Sequence, residues 1–238
     1  MTETTRLTRR RLRTPRAAAL AGIAFAILMI ISLVLIRISV PERLDDTGEW
    51  LVDQAGRINF AIGLIPFAGI AFLWFLGVIR DRLGDFEDRF FSTVFFGSGL
   101  LFLGMTFVSA AIAASLINLY AANPIPLNQS PTYVFNRVFM YQITNVYGLR
   151  MAGVFMLSLG TIWIHTKIMP RTIIFFTYAL ALVQLFGHNL SLWFSLAFPS
   201  WVFMISVAIL IFNFRQKKAQ TSNGKGDKVS PAEKTLLD

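Results

Sequence analysis

Long uncharged runs alternate with short polar segments along most of the chain. Six of these runs are apolar enough to predict transmembrane helices, and they cover residues 17–36, 60–79, 90–117, 151–164, 172–187 and 190–214. A helix rises about 1.5 Å per residue, so about 20 residues cross a hydrocarbon core of about 30 Å. The pattern therefore predicts an all-α, polytopic transmembrane helix bundle of six spans.

The first and last of these spans each have a second interpretation. The first resembles the apolar core of a signal peptide, but its uncharged run exceeds the usual length of about 7–15 residues and no small-residue cleavage segment follows it. We therefore predict an uncleaved anchor. The last span is either kinked at Pro199 or begins there, with residues 190–198 lying at the membrane surface. On either side of the transmembrane domain (17–214), residues 1–16 form a basic N-terminus and residues 215–238 a polar tail predicted to be disordered.

The segments between the spans contain three local signals. In the first connection, Leu51 and Ile58 belong to an apolar edge that predicts a short helix on the membrane surface. Acidic residues from Asp85 onward favour a helix start there, because unpaired N–H groups attract negative charge. Ser130 followed by Pro131 is typical of the start of another helix, which would run into the fourth span.

The distribution of basic residues predicts the orientation of the bundle. With the N-terminus inside, the cytoplasmic segments hold 17 of the 22 Lys and Arg residues. This bias satisfies the positive-inside rule for six spans with both termini cytoplasmic. The net charge of +9 is concentrated at the termini and beside the spans, where anionic lipid headgroups of the cytoplasmic face are the expected partners rather than nucleic acid. The predicted location is a bacterial-type plasma membrane.

Several kinds of chemistry are excluded by the residues that the spans lack. All 13 Asp and Glu residues fall outside the six runs, and the chain has no Cys. Embedded carboxylates serve proton-coupled transporters and intramembrane aspartyl proteases, while thiolates serve iron–sulfur clusters and structural zinc. The sequence therefore predicts neither a cofactor nor a metal site.

The two histidines do not change this conclusion. In the predicted topology His165 lies at the inner end of the fourth span and His188 at the outer end of the fifth, too far apart to share one metal ion. Ser98 paired with His188 would be needed for an intramembrane serine protease. The two residues lie at opposite depths, so we expect Ser98 to take part in helix contacts instead.

Small residues recur along the third span. Gly97, Gly104 and Ala111 are seven residues apart, and Ser115 follows Ala111 by four. Aligned small residues allow helices to approach closely in lipid. This stripe, Gly97/Gly104/Ala111/Ser115, predicts a helix-packing surface, with the third span at the centre of the bundle.

A candidate ligand site lies on the outer side. Arg137, Tyr141 and Asn145 follow i, i+4, i+8 spacing and share a face if the segment after Pro131 is helical. The other candidates near the outer membrane boundary are Arg150, Gln184 and His188. The alternative is that the arginines extend toward lipid headgroups while Tyr141 lies in the aromatic belt.

One stretch resembles known proteins. Residues 80–105, RDRLGDFEDRFFSTVFFGSGLLFLGM, resemble a segment of uncharacterised bacterial multi-pass integral membrane proteins. The resemblance implies a membrane fold and carries no activity. The leading hypothesis is a non-enzymatic membrane protein that binds lipid or a partner protein, with a second copy of the chain as one candidate partner. The alternatives are a small uncoupled transporter or channel, and then an intramembrane enzyme.

Overall fold

The computed structural model describes residues 14–41, 50–83, 89–122, 130–167, 169–187 and 192–226, and these residues form helices without strands. The helices are α1 (Thr14–Ser39), α2 (Trp50–Asp53), α3 (Ala55–Leu83), α4 (Arg89–Ala122), α5 (Pro131–Tyr141), α6 (Leu149–Thr166), α7 (Arg171–Phe186) and α8 (Ala197–Gly226). A π-helical segment, Gln142–Gly148, joins α5 to α6, and a 3₁₀ turn, Leu192–Leu196, precedes α8. The prediction of an all-α protein is confirmed.

Five helical stretches are long and apolar enough to cross a membrane: Ala17–Ser39, Ala55–Asp81, Phe90–Tyr120, Pro131–Thr166 and Trp193–Ile211. The predicted fifth span corresponds to α7, which has only 16 residues, or about 24 Å of helix. Five of the six predicted spans thus correspond to helices of spanning length, while α7 is shorter than a typical hydrocarbon core.

The predicted helix boundaries are met at some positions and corrected at others. Ser130 precedes the first residue of α5 and its carbonyl accepts from the Val134 N–H at 3.3 Å, as the Ser-Pro signal predicted. Pro199 lies in the first turn of α8, where a missing N–H is tolerated, so the helix begins close to Pro199, whereas Phe198 is buried in the core and does not lie at the surface. The tail was predicted to be disordered from residue 215, but α8 continues to Gly226. Asp85 lies outside the described residues.

Successive long helices run antiparallel. Ser32 of α1 donates to the Ala61 carbonyl of α3, and Thr144 after α5 donates to Ser109 of α4 at 2.7 Å. The α6–α7 pair is antiparallel as predicted, because the start of α6 meets the end of α7: the Arg150 side chain donates to the Leu185 carbonyl. This alternation defines two ends of the helix bundle, which are named the terminal end and the α5 end. The terminal end contains the start of α1 and the end of α6, and the α5 end contains Pro41 and the starts of α3 and α5.

An aromatic cluster fills the middle of the bundle. The Phe72 ring centroid lies 4.6 Å from Phe25, 5.7 Å from Phe155 and 5.9 Å from Phe198. These side chains come from α3, α1, α6 and α8, and Phe102 of α4 completes the contact at 5.7 Å. All five are buried. Tilted and edge-to-face ring contacts add attraction beyond the area that they bury, so this cluster joins five helices at one level.

The prediction that the third span is the centre of the bundle is wrong. Only 28% of the apolar window of α4 is buried, against 61% for Pro131–Thr166. Gly104, Ala111 and Ser115 are exposed, and a β-carbon at Gly97 or Gly104 would meet no atom within 4 Å in the described part of the chain. The helix-facing glycine of α4 is instead Gly99, beside Leu76 and Phe155. The stripe thus faces away from the described helices, and its use as a helix-packing surface stays a prediction.

The crossing of α1 with α3 and α8 gives a test of this packing. A β-carbon at Gly22 would collide with the Ser206 hydroxyl and approach Phe75 Cδ2 to 2.8 Å. We expect Gly22→Ala to destabilise the protein by about 1–3 kcal/mol, the usual cost of overpacking. Gly77→Ala is the matched control, because no described atom lies within 4 Å of its β-carbon position. Thermal unfolding in detergent measures both, and equal Tm values would contradict the packing described here.

Candidate functional site

A cavity of about 110 Å³ lies toward the α5 end of the bundle, between α1, α3, α4, α5 and the π-helical segment. Its volume is of the order of an apolar cavity that holds a small hydrocarbon such as benzene, about 150 Å³. Most of its lining is aliphatic. The apolar residues that line it are Met29, Leu33, Ile36, Val40, Pro41, Ile58, Ile62, Ile65, Ala110, Ala113, Ile117 and Met140.

The polar lining is concentrated in a few groups. Arg37, Arg137, Tyr141, Thr144 and Asn145 line the cavity together with Thr106 and Ser109. Along α1 the lining extends from Met29 to Arg37, a rise of about 12 Å at helical geometry. Arg37 is the first charged residue after the uncharged run of α1, so its guanidinium is expected at the depth of lipid headgroups. The cavity is therefore amphipathic, with a cationic part at the α5 end and an aliphatic part that extends toward the core.

Arg37 is bound by side chains from two other elements. Its Nη2 donates to Asn145 Oδ1 at 3.2 Å and to Ser195 Oγ, in the 3₁₀ turn, at 3.5 Å. Asn145 and Ser195 are both 5% exposed. A guanidinium near the hydrocarbon is costly unless polar groups replace its water, and these oxygens contribute to that replacement.

Arg137 approaches the same space from α5. Its side chain is 4% exposed, and Nη2 donates to the Pro41 carbonyl at 3.0 Å, just after α1. This bond ties α5 to the segment just after α1. Two guanidinium groups from different helices thus line one cavity, and planar guanidinium donors suit the oxygens of carboxylates and phosphates.

The π-helical segment carries two of the polar residues that line the cavity, Thr144 and Asn145. Asn145 Nδ2 donates to the Tyr141 carbonyl at 3.2 Å, and Thr144 Oγ1 donates to Ser109 Oγ at 2.7 Å. The Leu149 N–H donates to the Thr144 carbonyl, a bond that closes over five residues. π-helical turns are uncommon and occur often at functional sites. Here the segment connects α5 with α6 and places Thr144 and Asn145 in the cavity wall.

The structure brings together half of the predicted ligand site. Arg137, Tyr141 and Asn145 line the cavity, as their i, i+4, i+8 spacing suggested. Arg150 does not line it; Arg150 Nε donates to the Leu185 carbonyl at 3.4 Å. Gln184 is also elsewhere, buried against the Phe194 carbonyl, which accepts from its Nε2. His188 lies outside the described residues.

Arg37 was missed by the sequence analysis. It was counted only as a basic residue flanking the first span, because nothing local in the sequence relates it to residues one hundred positions away. The available signal was that Arg37 ends an uncharged run without an acidic residue beside it. Charged residues at such a boundary are common and are more often headgroup contacts.

The described residues give no geometry for the alternative sites. Ser98 Oγ donates within its own helix, to the Val94 carbonyl at 2.7 Å. His165 is exposed at the end of α6, on the terminal end of the bundle. Within the described ranges, no group of three or more His, Cys, Asp or Glu residues is positioned to hold a metal ion.

No protein-family model matches the chain, and no curated protein or solved structure shows significant similarity to it. The chemistry of the cavity is therefore the basis for assigning a function.

The Thr144–Ser109 hydrogen bond provides a test of the cavity wall. We expect Thr144→Val and Ser109→Ala each to lower Tm, with a coupling energy of about 0.5–1.5 kcal/mol in a double-mutant cycle, as for other hydrogen bonds between membrane helices. Ser115→Ala is the control, because among the described residues its hydroxyl bonds to the Ala111 carbonyl of its own helix, on an exposed face. Strict additivity of the two substitutions would show that the π-helical segment is not attached to α4 in this way.

Proposed function

We propose that this protein is a non-enzymatic integral membrane protein that binds a lipid with an anionic, phosphate-bearing headgroup in the cavity toward the α5 end. The observation that carries the proposal is the amphipathic lining: two guanidinium groups beside an aliphatic wall from α1, α3 and α4. Arginine donors match the oxygens of a phosphate, and the aliphatic wall matches part of an acyl chain.

The position of the cavity favours a lipid over a water-soluble solute. Its charged residues lie where the uncharged run of α1 ends, which is the depth of headgroups, and its aliphatic part extends from there into the hydrocarbon region. A lipid in the surrounding leaflet has the same arrangement of polar and apolar parts. A fully polar solute would gain nothing from the aliphatic part of the wall.

Transport through the bundle is the alternative, and the cavity gives it less support. A continuous polar path would be expected to include Ser98, Thr106, Gln184 and Asn145. Of these four residues, only Thr106 and Asn145 line the cavity. Between the cavity and the terminal end lies the aromatic cluster around Phe72, which packs five helices together.

We further propose six spans with both termini in the cytoplasm of a bacterial-type cell. α7 supports a sixth crossing because it pairs with α6 from the Thr161–Tyr178 hydrogen bond to the Arg150–Leu185 bond. The alternating directions of the long helices put the start of α1 beside α8, where Gly22 faces Ser206. The excess of basic residues at this terminal end favours its cytoplasmic location, so the cavity would open toward the outer leaflet.

Single cysteines test this topology, since the native chain contains none. We expect Asp53→Cys, exposed at the α5 end, to react with an impermeant maleimide in intact cells. His165→Cys, exposed at the terminal end, should react only after permeabilisation. A C-terminal reporter should be cytoplasmic; an external one would mean that α7 does not cross and that the number of spans is odd.

Lipid retention tests the site. We expect native mass spectrometry of the purified protein with added phosphatidylglycerol to show retention that weakens about tenfold or more in Arg137→Gln, because bonds to charged groups contribute about 1.5–3 kcal/mol. Arg150→Gln is the matched control: it removes an arginine that bonds to the Leu185 carbonyl and does not line the cavity. Equal weakening in both variants would indicate general headgroup attraction and would overturn the site.

Two additions sharpen this experiment. Ala113→Leu should reduce lipid retention, because its larger side chain fills part of the cavity without changing charge. Ala111→Leu, on the exposed face of α4, should not.

Excess inorganic phosphate separates the two sources of a phosphate group, a lipid headgroup and a free anion. If inorganic phosphate displaces bound phosphatidylglycerol as effectively as added lipid does, the site binds a free anion. Solute flux in liposomes without any retained lipid would favour transport.

A further inference from the structure

The side-chain amide of Asn145 is fixed from both sides. Its Nδ2 donates to the Tyr141 carbonyl at 3.2 Å, and its Oδ1 accepts from Arg37 Nη2 at 3.2 Å. A carbonyl oxygen only accepts and a guanidinium only donates, so one amide orientation satisfies both neighbours and the flipped one satisfies neither. Asn145 therefore presents a single acceptor toward Arg37.

Tyr141, whose carbonyl accepts this bond, is the last residue of α5 and directly precedes the π-helical segment. In a regular α-helix a carbonyl accepts from the N–H four residues later, which for Tyr141 is the N–H of Asn145 itself. In the segment Gln142–Gly148 the bonds close over five residues, as the Leu149-to-Thr144 bond shows. The bond of Thr144 to Ser109 attaches this segment to α4. Asn145 thus bonds to the carbonyl four residues before it, within a segment that is attached to α4.

We propose that Asn145 is a positioning residue: held by the π-helical segment, it fixes the Arg37 guanidinium in the cavity and thereby sets the preference for an anionic headgroup. This inference rests on the proposed lipid function and deepens it. Asn145 acts through Arg37, and its amide stays engaged with Tyr141 and Arg37. Ser195, at 3.5 Å from Arg37 Nη2, supports the same guanidinium from the 3₁₀ turn.

Two substitutions distinguish positioning from a merely structural contact. Asn145→Ala removes the acceptor, so we expect phosphatidylglycerol to bind about tenfold more weakly, as one charge-assisted bond contributes to that extent. Asn145→Asp keeps an acceptor oxygen beside Arg37 but adds a negative charge to the cavity, so we expect a larger loss, about a hundredfold for an anionic headgroup at low dielectric. Binding of diacylglycerol, which lacks a phosphate, should change less than threefold in both variants. A contact that only stabilises the fold predicts equal losses for phosphatidylglycerol and diacylglycerol.

The experiment is a lipid titration of the full chain in detergent by native mass spectrometry, with Tm measured for each variant. Gln142→Ala is the matched control, because Gln142 lies in the same π-helical segment with an exposed side chain. If Asn145→Asp does not fold, Arg37→Lys replaces it; a lysine keeps the charge without the planar fork, and about a tenfold loss of phosphatidylglycerol is expected.

The outcomes separate this inference from the proposed function. Failure of the wild-type protein to retain phosphatidylglycerol overturns both. If the wild type retains phosphatidylglycerol, three results overturn the positioning role alone. The first is that Asn145→Asp binds phosphatidylglycerol as tightly as the wild type. The others are equal losses of phosphatidylglycerol and diacylglycerol in the variants, and undiminished phosphatidylglycerol binding by Arg37→Lys.

Discussion

Contact between aromatic rings in the middle of the bundle is the interaction on which the other features depend. Lipid tails are as apolar as the helix surfaces, so burial of hydrophobic area does not by itself bring membrane helices together. Shape-specific packing must do so. Phe72 is in ring contact with Phe25, Phe102, Phe155 and Phe198, which lie on four other helices. These contacts fix the relative positions of α1, α3, α4, α6 and α8, and with them the walls of the cavity nearer the α5 end.

The polar residues of the cavity follow from a second constraint. A guanidinium at the edge of the hydrocarbon needs oxygen atoms to replace water, and a regular helix uses its own carbonyls internally. The described contacts of Arg37 and Arg137 come from places where the regular pattern is interrupted: Asn145 in the π-helical segment, Ser195 in the 3₁₀ turn, and the Pro41 carbonyl after α1. In these three contacts, irregular segments supply the acceptors of the arginines.

The sequence predicted elements better than it predicted neighbours. Uncharged runs predict helices because the bilayer excludes charge, and Ser130 with Pro131 predicts the start of α5 from local chemistry. The spacing of Arg137, Tyr141 and Asn145 placed them on one face. Nothing local identifies the partner of a face, and for this reason the small residues of α4 were assigned to the interior whereas Gly99, one position after Ser98, makes the close contact. Arg37 joined the site only through folding, since 108 residues separate it from Asn145.

The two ends of the bundle differ in a way that bears on mechanism. Toward the terminal end, Gly22 fits against Ser206 and Phe75, and Trp201 packs on Trp163 with its indole donating to Thr177 at 2.9 Å. Toward the α5 end, the cavity separates α1 and α3 from α4 and the π-helical segment. In a secondary transporter the substrate site lies near the midplane and opens to each side in turn. A cavity at one end, closed below by aromatic packing, instead suits exchange with a single leaflet. The lipid-binding proposal requires only that exchange.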